Sequence, residues 1–206
     1  MIKNVVFDNG GVIVKYSKET YLDFFDFQKE EADTLNLLFC SREWIKLAKG
    51  EISSDDFKEY AVNRFPQYKN DVFRVLDVNN LKFMIPPHKK TIDFVKRLKQ
   101  NGFNIFLLSD INEDTIKYLN SEIPNFEKLF DGIMYSCREG CVKKEGKIFD
   151  KLLKKYSLTP EECLFIDDSD ENLKQAQKYK IKTYKFLDPN IDIEKIMKLL
   201  QEKNFG

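Results

Sequence analysis

The spacing of hydrophobic positions changes twice along the chain. A short apolar run, Val5-Val6-Phe7, comes first and ends at Asp8. Apolar residues then recur at helical spacing across residues 17–66, and from residue 103 short apolar runs alternate with segments of helical period. Runs rich in β-branched and aromatic residues predict buried strands, whereas apolar positions three and four residues apart predict amphipathic helices.

The second half of the chain predicts alternating strands and helices. We expect strands at residues 103–108, 132–136, 163–166 and 182–186, and helices at 91–98, 113–119, 147–156, 172–179 and 191–202. Such alternation is typical of parallel strands joined by right-handed helical crossovers. The first strand belongs with the same sheet, although a helical segment separates it from the others.

The expected fold is therefore α/β, a Rossmann-like parallel-sheet core with an inserted α-helical domain. Residues 1–14 and 89–206 form the core in this prediction, and residues 15–88, the helical insertion, end at the break Pro86-Pro87. Hinges are expected near residues 14–17 and 83–89. Within the insertion, Gly50 is expected to end one helix, and Ser53 or Ser54 to start the next as its N-cap.

Composition excludes several classes of function. The chain has 206 residues, a formal net charge of zero, 42% hydrophobic and 33% charged residues. This balance is typical of a globular protein and gives no overall attraction to nucleic acid or membrane surfaces. Apolar runs are too short to span a bilayer. We expect a cytoplasmic monomer.

The cysteines do not predict a metal centre. Cys40, Cys137, Cys141 and Cys163 form no C-x-x-C pair, and His88 is the single histidine. A structural zinc site needs about four such ligands at closer spacing. Free thiols are the prediction.

Polar residues follow three of the predicted strands. Asp8 follows the first, Ser109-Asp110 the second, and Asp167-Asp168 the strand at 163–166, while Lys143 lies in a polar loop. The carboxyl ends of parallel strands share one edge of the sheet, where such folds bind ligands. Taken singly, each residue has a structural alternative as a turn former, a helix cap or a solvated charge.

Four segments in order resemble the motifs of the haloacid dehalogenase (HAD) superfamily of aspartate-nucleophile hydrolases. They are Phe7-Asp8-Asn9-Gly10-Gly11-Val12, Leu107-Leu108-Ser109-Asp110, Lys143 followed by the helix with Ile148-Phe149, and Phe165-Ile166-Asp167-Asp168-Ser169 with Asn172. The helical insertion resembles the α-helical cap of the first type found in this family. The resemblance covers nearly the whole chain.

The resemblance implies a role for each matching residue. Asp8 would be the nucleophile that becomes an aspartyl phosphate, and Lys143 would neutralise both Asp8 and the phosphate. Mg²⁺ would be held by Asp8, Asp168 and the backbone carbonyl of Gly10. Asp167 and Asn172 would lie behind these ligands and support them, with Asn172 orienting Asp168 or a metal-bound water. Ser109, the backbone amide of Asp110 and Lys143 would hold the phosphate oxygens.

Gly10 departs from the phosphatase pattern. Family phosphatases usually carry a second aspartate at this position as general acid and base, so weakened activity and substrates with good leaving groups are expected. The favoured function is a Mg²⁺-dependent phosphomonoester hydrolase for a small phosphorylated metabolite, sugar phosphates being one class. The alternatives are a non-catalytic protein that binds a phosphorylated ligand and a 2-haloacid dehalogenase.

The helical insertion offers candidates for substrate contacts. Tyr16, Arg42 and Lys46 carry polar groups that could face the site, and Trp44 is expected in the insertion's own core. In this position the insertion would act as a lid that excludes water.

Overall fold

A parallel sheet forms the centre of the molecule. The computed structural model describes residues 1–16 and 21–202. Its sheet has five strands, β1 (Asn4–Phe7), β2 (Asn104–Ser109), β3 (Gly132–Tyr135), β4 (Cys163–Asp167) and β5 (Lys182–Lys185), in the order β3-β2-β1-β4-β5. Every neighbouring pair is parallel, and β1 lies between β2 and β4. The predicted α/β class is confirmed.

The described part of the helical insertion contains helices and turns. The α-helices are α1 (Lys29–Asn36), α2 (Arg42–Ala48), α3 (Ser54–Arg64), α4 (Lys69–Val75) and α5 (Leu81–Met84). Ser53 is the N-cap of α3: its hydroxyl accepts the Asp56 N–H at 3.1 Å, and the Asp56 carboxylate accepts the Ser53 N–H at 2.8 Å. The predicted helix start is confirmed.

The helices of the insertion are shorter than the apolar spacing predicts. Turns of 3₁₀ helix at Leu22–Phe25 and Leu37–Cys40 interrupt the periodic segment. As a result Phe24 and Leu37 stay 57% and 53% exposed instead of joining the core.

Two chain segments connect the insertion to the core, and they lie side by side. The Lys15 N–H donates to the Pro86 carbonyl at 2.9 Å, and the His88 N–H donates to the Ile13 carbonyl at 2.8 Å. The predicted hinges fall on this pair of segments. Ser17, the far end of the first predicted hinge and the start of the predicted helical segment, lies outside the described residues.

Helices cover both faces of the sheet. They are α6 (Lys89–Gln100), α7 (Glu113–Glu122), α8 (Ser136–Glu139), α9 (Lys147–Lys155), α10 (Asp170–Lys178) and α11 (Pro189–Glu202). Phe7 and Leu107 belong to the buried cluster that includes α6, α7 and α11, whereas Val6 and Leu108 belong to the cluster of α9 and α10. Successive strand residues point to opposite faces, so a sheet buried on both sides needs continuous apolar strands.

Smaller features differ from the sequence-based expectation. The predicted loop before α9 contains α8 and a 3₁₀ turn at Lys143–Glu145. All four cysteines lie among the described residues and form no disulfide, in agreement with the prediction of unbridged thiols. Among the described residues, none of the helices combines the length and apolar character that a membrane crossing requires.

Candidate active site

Carboxylates from two adjacent strands meet at one edge of the sheet. Phe7 pairs with Ile166 across β1 and β4, and the Asp8 N–H continues this pairing by donating to the Ile166 carbonyl at 2.9 Å. Asp8 therefore lies level with the end of β4. Carboxylate oxygens of Asp8, Asp167 and Asp168 lie within 4.8 Å of one another. The sequence predicted that the residues after β1 and β4 lie close together at the carboxyl edge of the sheet, and the structure brings Asp8, Asp167 and Asp168 together there.

A buried lysine joins two of these carboxylates. Lys143 Nζ lies 2.6 Å from Asp8 Oδ1 and 2.8 Å from Asp167 Oδ2, and all three side chains are buried. The Asp110 carboxylate accepts the Lys143 backbone N–H at 3.0 and 3.2 Å, one bond to each oxygen. Asp110 thus fixes the 3₁₀ turn that aims Lys143 at Asp8, a use of its side chain that the sequence did not predict.

The Asp167 carboxylate is held from behind. Asn172 Nδ2, in α10, donates to both Asp167 oxygens at 3.1 Å, and the Ser169 N–H donates to Asp167 Oδ1 at 2.8 Å. The amide of Asn172 therefore positions Asp167, whereas the sequence analysis expected it to orient Asp168 or a metal-bound water. Asp168 is left half-buried beside the cavity.

The two glycines after Asp8 differ in their surroundings. Gly11 has φ of +73°, and a Cβ on it would lie 2.2 Å from Asp168 Oδ2, so glycine is required for the close approach of the loop to this carboxylate. A Cβ on Gly10 would meet Tyr16 Cβ at 3.6 Å, an ordinary contact. The missing side chain at position 10 is therefore not imposed by lack of room.

The charges in the site are unbalanced. The ammonium of Lys143 is shared by Asp8 and Asp167, and Asp168 lies close by, so negative charge is in excess when all three carboxyl groups are ionised. Burial raises the pKa of the Asp8 carboxyl well above its ordinary value, opposed by Lys143 and assisted by Asp167. Burial and the charge of Asp167 also raise the pKa of Asp168.

Lys143 remains charged in this setting. Burial by itself favours the neutral amine, but the carboxylates of Asp8 and Asp167 outweigh it and hold the pKa of Lys143 above its ordinary value. A divalent cation would balance the excess negative charge, and clustered carboxylate oxygens are the donors that Mg²⁺ prefers. The residues present therefore fit a metal ion of this kind.

Two buried polar residues lie at the strand ends near Asp8. Ser109 ends β2 and is 2% exposed. Asn9 is 4% exposed, and its Oδ1 is buried without a hydrogen-bond partner among the described residues. Its backbone N–H donates to Asp8 Oδ1 at 2.6 Å. The sequence analysis did not assign a role to Asn9, because an asparagine after a strand is an ordinary turn residue.

A cavity of about 400 Å³ opens onto Asp8, and both the core and the insertion line it. Of the predicted insertion contacts, Tyr16 lines this cavity but Arg42 and Lys46 do not; Lys46 pairs instead with Glu43 at 3.6 Å. Trp44 was expected in the insertion core. Its ring packs edge-on against Phe39 and Phe57, at centroid distances of 5.1 and 5.4 Å, and it also lines the cavity.

Known proteins resemble the chain over most of its length. Acyl-CoA dehydrogenase family member 10 of Mus musculus is 28% identical over 208 residues, which cover 95% of this chain and 19% of that protein. The chain thus spans about a fifth of that relative. D-ribitol-5-phosphate phosphatase of Bacteroides thetaiotaomicron is 26% identical over 196 residues, 89% of this chain and 91% of the relative.

Solved structures share the fold. A HAD-like family hydrolase of Porphyromonas gingivalis superimposes with a TM-score of 0.79 at 25% identity, covering 97% of this chain and 98% of that one. A HAD family enzyme of Bacteroides thetaiotaomicron, an aspartate-to-alanine mutant in complex with magnesium and inorganic phosphate, gives 0.74 at 22% identity, covering 90% and 94%.

The family follows from a match of most of the chain. A model of the family described as haloacid dehalogenase-like hydrolase matches residues 2–178, a range that includes Asp8, Lys143 and Asp168. This agrees with the resemblance found in the sequence motifs and with the parallel sheet that brings those motifs together. The chain belongs to the haloacid dehalogenase-like hydrolases.

Proposed function

We propose that the protein is a Mg²⁺-dependent phosphomonoester hydrolase that acts on a small phosphorylated metabolite. The observation that carries this proposal is the buried contact of Lys143 with Asp8 and Asp167, with Asp168 close by, at the mouth of a cavity. The names of the relatives support it, since D-ribitol-5-phosphate phosphatase acts on one such metabolite and sugar phosphates are a related class.

In the proposed reaction Asp8 is the nucleophile. One of its carboxylate oxygens attacks the phosphorus, and the ester P–O bond breaks to give an aspartyl phosphate. Lys143 holds Asp8 in place and neutralises negative charge on the transferred group. Ser109 and the Asp110 backbone amide would hold phosphate oxygens. Water then attacks the phosphorus, releasing inorganic phosphate and restoring the Asp8 carboxylate.

The residues that would hold the metal are Asp8, Asp168 and the backbone carbonyl of Gly10, with Asp167 kept in position by Asn172. When bound, Mg²⁺ supplies charge neutralisation between the Asp8 carboxylate and the phosphate. The leaving oxygen takes its proton from water, because Gly10 has no side chain to donate one. Residues 15–88 would serve as the cap over this site.

The test is phosphate release from p-nitrophenyl phosphate with Mg²⁺ and with EDTA. We expect release that requires Mg²⁺ and falls by about a thousandfold or more in Asp8→Asn, because the nucleophile is lost. Asp93→Asn is the matched control: its side chain is 60% exposed on α6, away from the site. It should behave like the wild type.

Three other outcomes would contradict the proposal. Equal release from wild type and Asp8→Asn would place the chemistry elsewhere. Phosphate binding without turnover of any ester would identify a binding protein. Halide release from a 2-haloacid that needs no metal would identify a dehalogenase.

A further inference from the structure

The walls of the active-site cavity differ in chemistry according to their origin. The core contributes the charged residues Asp8, Asp110, Lys143, Lys144 and Asp168, together with asparagine, serine and threonine side chains. Among its described residues, the insertion contributes Tyr16, Trp44, Ile45, Ala48, Met84 and Ile85. None of these six carries a formal charge, and all but Tyr16 are mainly apolar. The core adds the apolar Ile111 and Val142, so the described lining takes all of its charged groups from the core and most of its apolar surface from the insertion.

Among the described residues, the two lysines in and directly after α2 are engaged elsewhere. Lys46 pairs with Glu43, and Lys49 pairs with Glu51 at 2.8 Å and with Glu145 at 3.2 Å. A second phosphate or carboxylate pressed against the insertion would therefore lose water without gaining a charged partner, which is costly. Lys144, the remaining cation of the lining, is exposed and belongs to the core side.

The apolar wall continues beyond the cavity. Trp44 and Met84 also line a smaller space of about 50 Å³ with mixed walls, which include the apolar Phe39, Phe57 and Leu81 and the charged Lys58 and Asp114. Lys58 pairs with Asp55 at 3.5 Å. A methionine side chain is flexible enough to adapt to what packs beside it. Hydrocarbon that reaches past Trp44 would thus meet further apolar side chains of the insertion, Phe39, Phe57 and Leu81.

From this division we infer that the substrate is a phosphate monoester whose body is uncharged and mainly hydrocarbon. This rests on the proposed function. The phosphate lies at Asp8 and Lys143, and the body packs against Trp44, Ile45 and Met84. Polyol phosphates and compounds with a second distal anion are disfavoured, because their hydroxyl or acidic groups would face an apolar wall.

The test compares three five-carbon ligands that differ in their bodies: pentyl phosphate, ribitol 5-phosphate and pentane-1,5-diol bisphosphate. Binding to Asp8→Asn with Mg²⁺, measured by calorimetry, avoids any dependence on turnover. We expect pentyl phosphate to bind more tightly than either competitor, by about tenfold or more, since burial of each methylene group is worth up to about fourfold in affinity. Equal or tighter binding of ribitol 5-phosphate or the bisphosphate overturns the inference.

A charge placed on the apolar wall should reverse the preference. Ile45 is half-buried, lines the cavity and is not part of the packed core of the insertion, so Ile45→Arg should fold. This variant should bind pentyl phosphate about tenfold more weakly and the bisphosphate about tenfold more tightly than Asp8→Asn alone does. Leu37→Arg, on an exposed site of the same insertion, should leave all three affinities unchanged. An unchanged ligand order in Ile45→Arg counts against the inference.

Failure of this inference is distinguishable from failure of the proposed function. If hydrolysis depends on Asp8 and Mg²⁺ but is faster for the polyol ester, the proposed hydrolase activity stands and the inferred preference for an apolar substrate body is wrong. If no ester is hydrolysed, the proposed hydrolase activity is wrong. The order of the three binding affinities would still test whether the insertion wall prefers an apolar body.

Discussion

Position 10 carries a glycine where the resemblance to the family's phosphatases predicts an acid, and the structure leaves room for a side chain there. A Cβ on Gly10 would make only an ordinary contact with Tyr16, and the backbone does not have the positive φ of Gly11. The fold therefore does not require a glycine at this position, and we expect the absence of an acid to bear on the chemistry alone. The absence of a general acid should slow the hydrolysis of alkyl esters most, because an alkoxide is a poor leaving group.

We predict that Gly10→Asp raises kcat on ethyl phosphate by about tenfold or more, because a positioned general acid is worth roughly 10²–10⁴ in rate. Initial rates of phosphate release measure the effect. Gly10→Ala fills the same space without an acid and should stay near the wild-type rate. An equal or lower kcat for Gly10→Asp, with an unchanged circular dichroism spectrum, would show that the carboxyl group does not act in the reaction.

The sequence was informative about which site residues meet but not about how they pair. Asp8, Ser109 and Asp167 each follow or end a strand of one parallel sheet, so their neighbourhood follows from strand order alone. The partners of Asp110 and Asn172 depend on side-chain rotamers and on the path of the Lys143 turn. Spacing along the chain does not encode such short-range choices, and Trp44 likewise has two faces with different surroundings.

The hydroxyl of Ser136 is one of the contacts between the helical insertion and the core. Ser136, at the start of α8, donates from its hydroxyl to the Ala48 carbonyl at 2.5 Å, where α2 ends, and accepts the Ile111 N–H at 2.8 Å. Ala48 and Ile111 both line the active-site cavity. The same hydroxyl thus fixes the insertion and one wall of the site.

Ser136→Ala should lower the free energy of unfolding by about 1–3 kcal/mol, because it leaves a buried N–H and a carbonyl without partners. Urea unfolding measures the change. Ser121→Ala is the matched control: this hydroxyl bonds to the Tyr118 carbonyl within α7, and its loss should cost about 0.5 kcal/mol or less. Equal urea midpoints for Ser136→Ala and wild type would show that the link does not stabilise the fold.

The strands could be predicted more reliably than the insertion helices. The inner residues of a strand buried on both faces must be apolar, and residues 5–7, 105–108 and 163–166 of β1, β2 and β4 are such runs. In the insertion, apolar residues at helical spacing are divided among short helices and 3₁₀ turns. Phe24 stacks on Phe83 at the surface, at a centroid distance of 4.8 Å, although its spacing matches that of core residues.

At the scale of the whole molecule, the folded state gathers like charges that the unfolded chain keeps apart. The motifs that supply Asp8 and Asp168 are far apart in sequence and meet only when the sheet forms. Their mutual repulsion, reinforced by Asp167, opposes folding in the absence of a cation. A cation that binds only the folded state would therefore stabilise the protein as well as serve catalysis.

We predict that Mg²⁺ raises the free energy of unfolding of the wild type, by about 2.7 kcal/mol at a concentration one hundred times its Kd. Asp168→Asn should abolish most of this gain, because it removes one of the proposed ligands. In EDTA the same variant should be at least as stable as the wild type, because it removes one excess negative charge; Asp93→Asn should keep the full gain. Urea unfolding with and without MgCl₂ measures all three. The prediction is contradicted if Asp168→Asn is less stable than the wild type in EDTA, or if Mg²⁺ stabilises both proteins equally. Either outcome would show that Asp168 serves the fold rather than the metal.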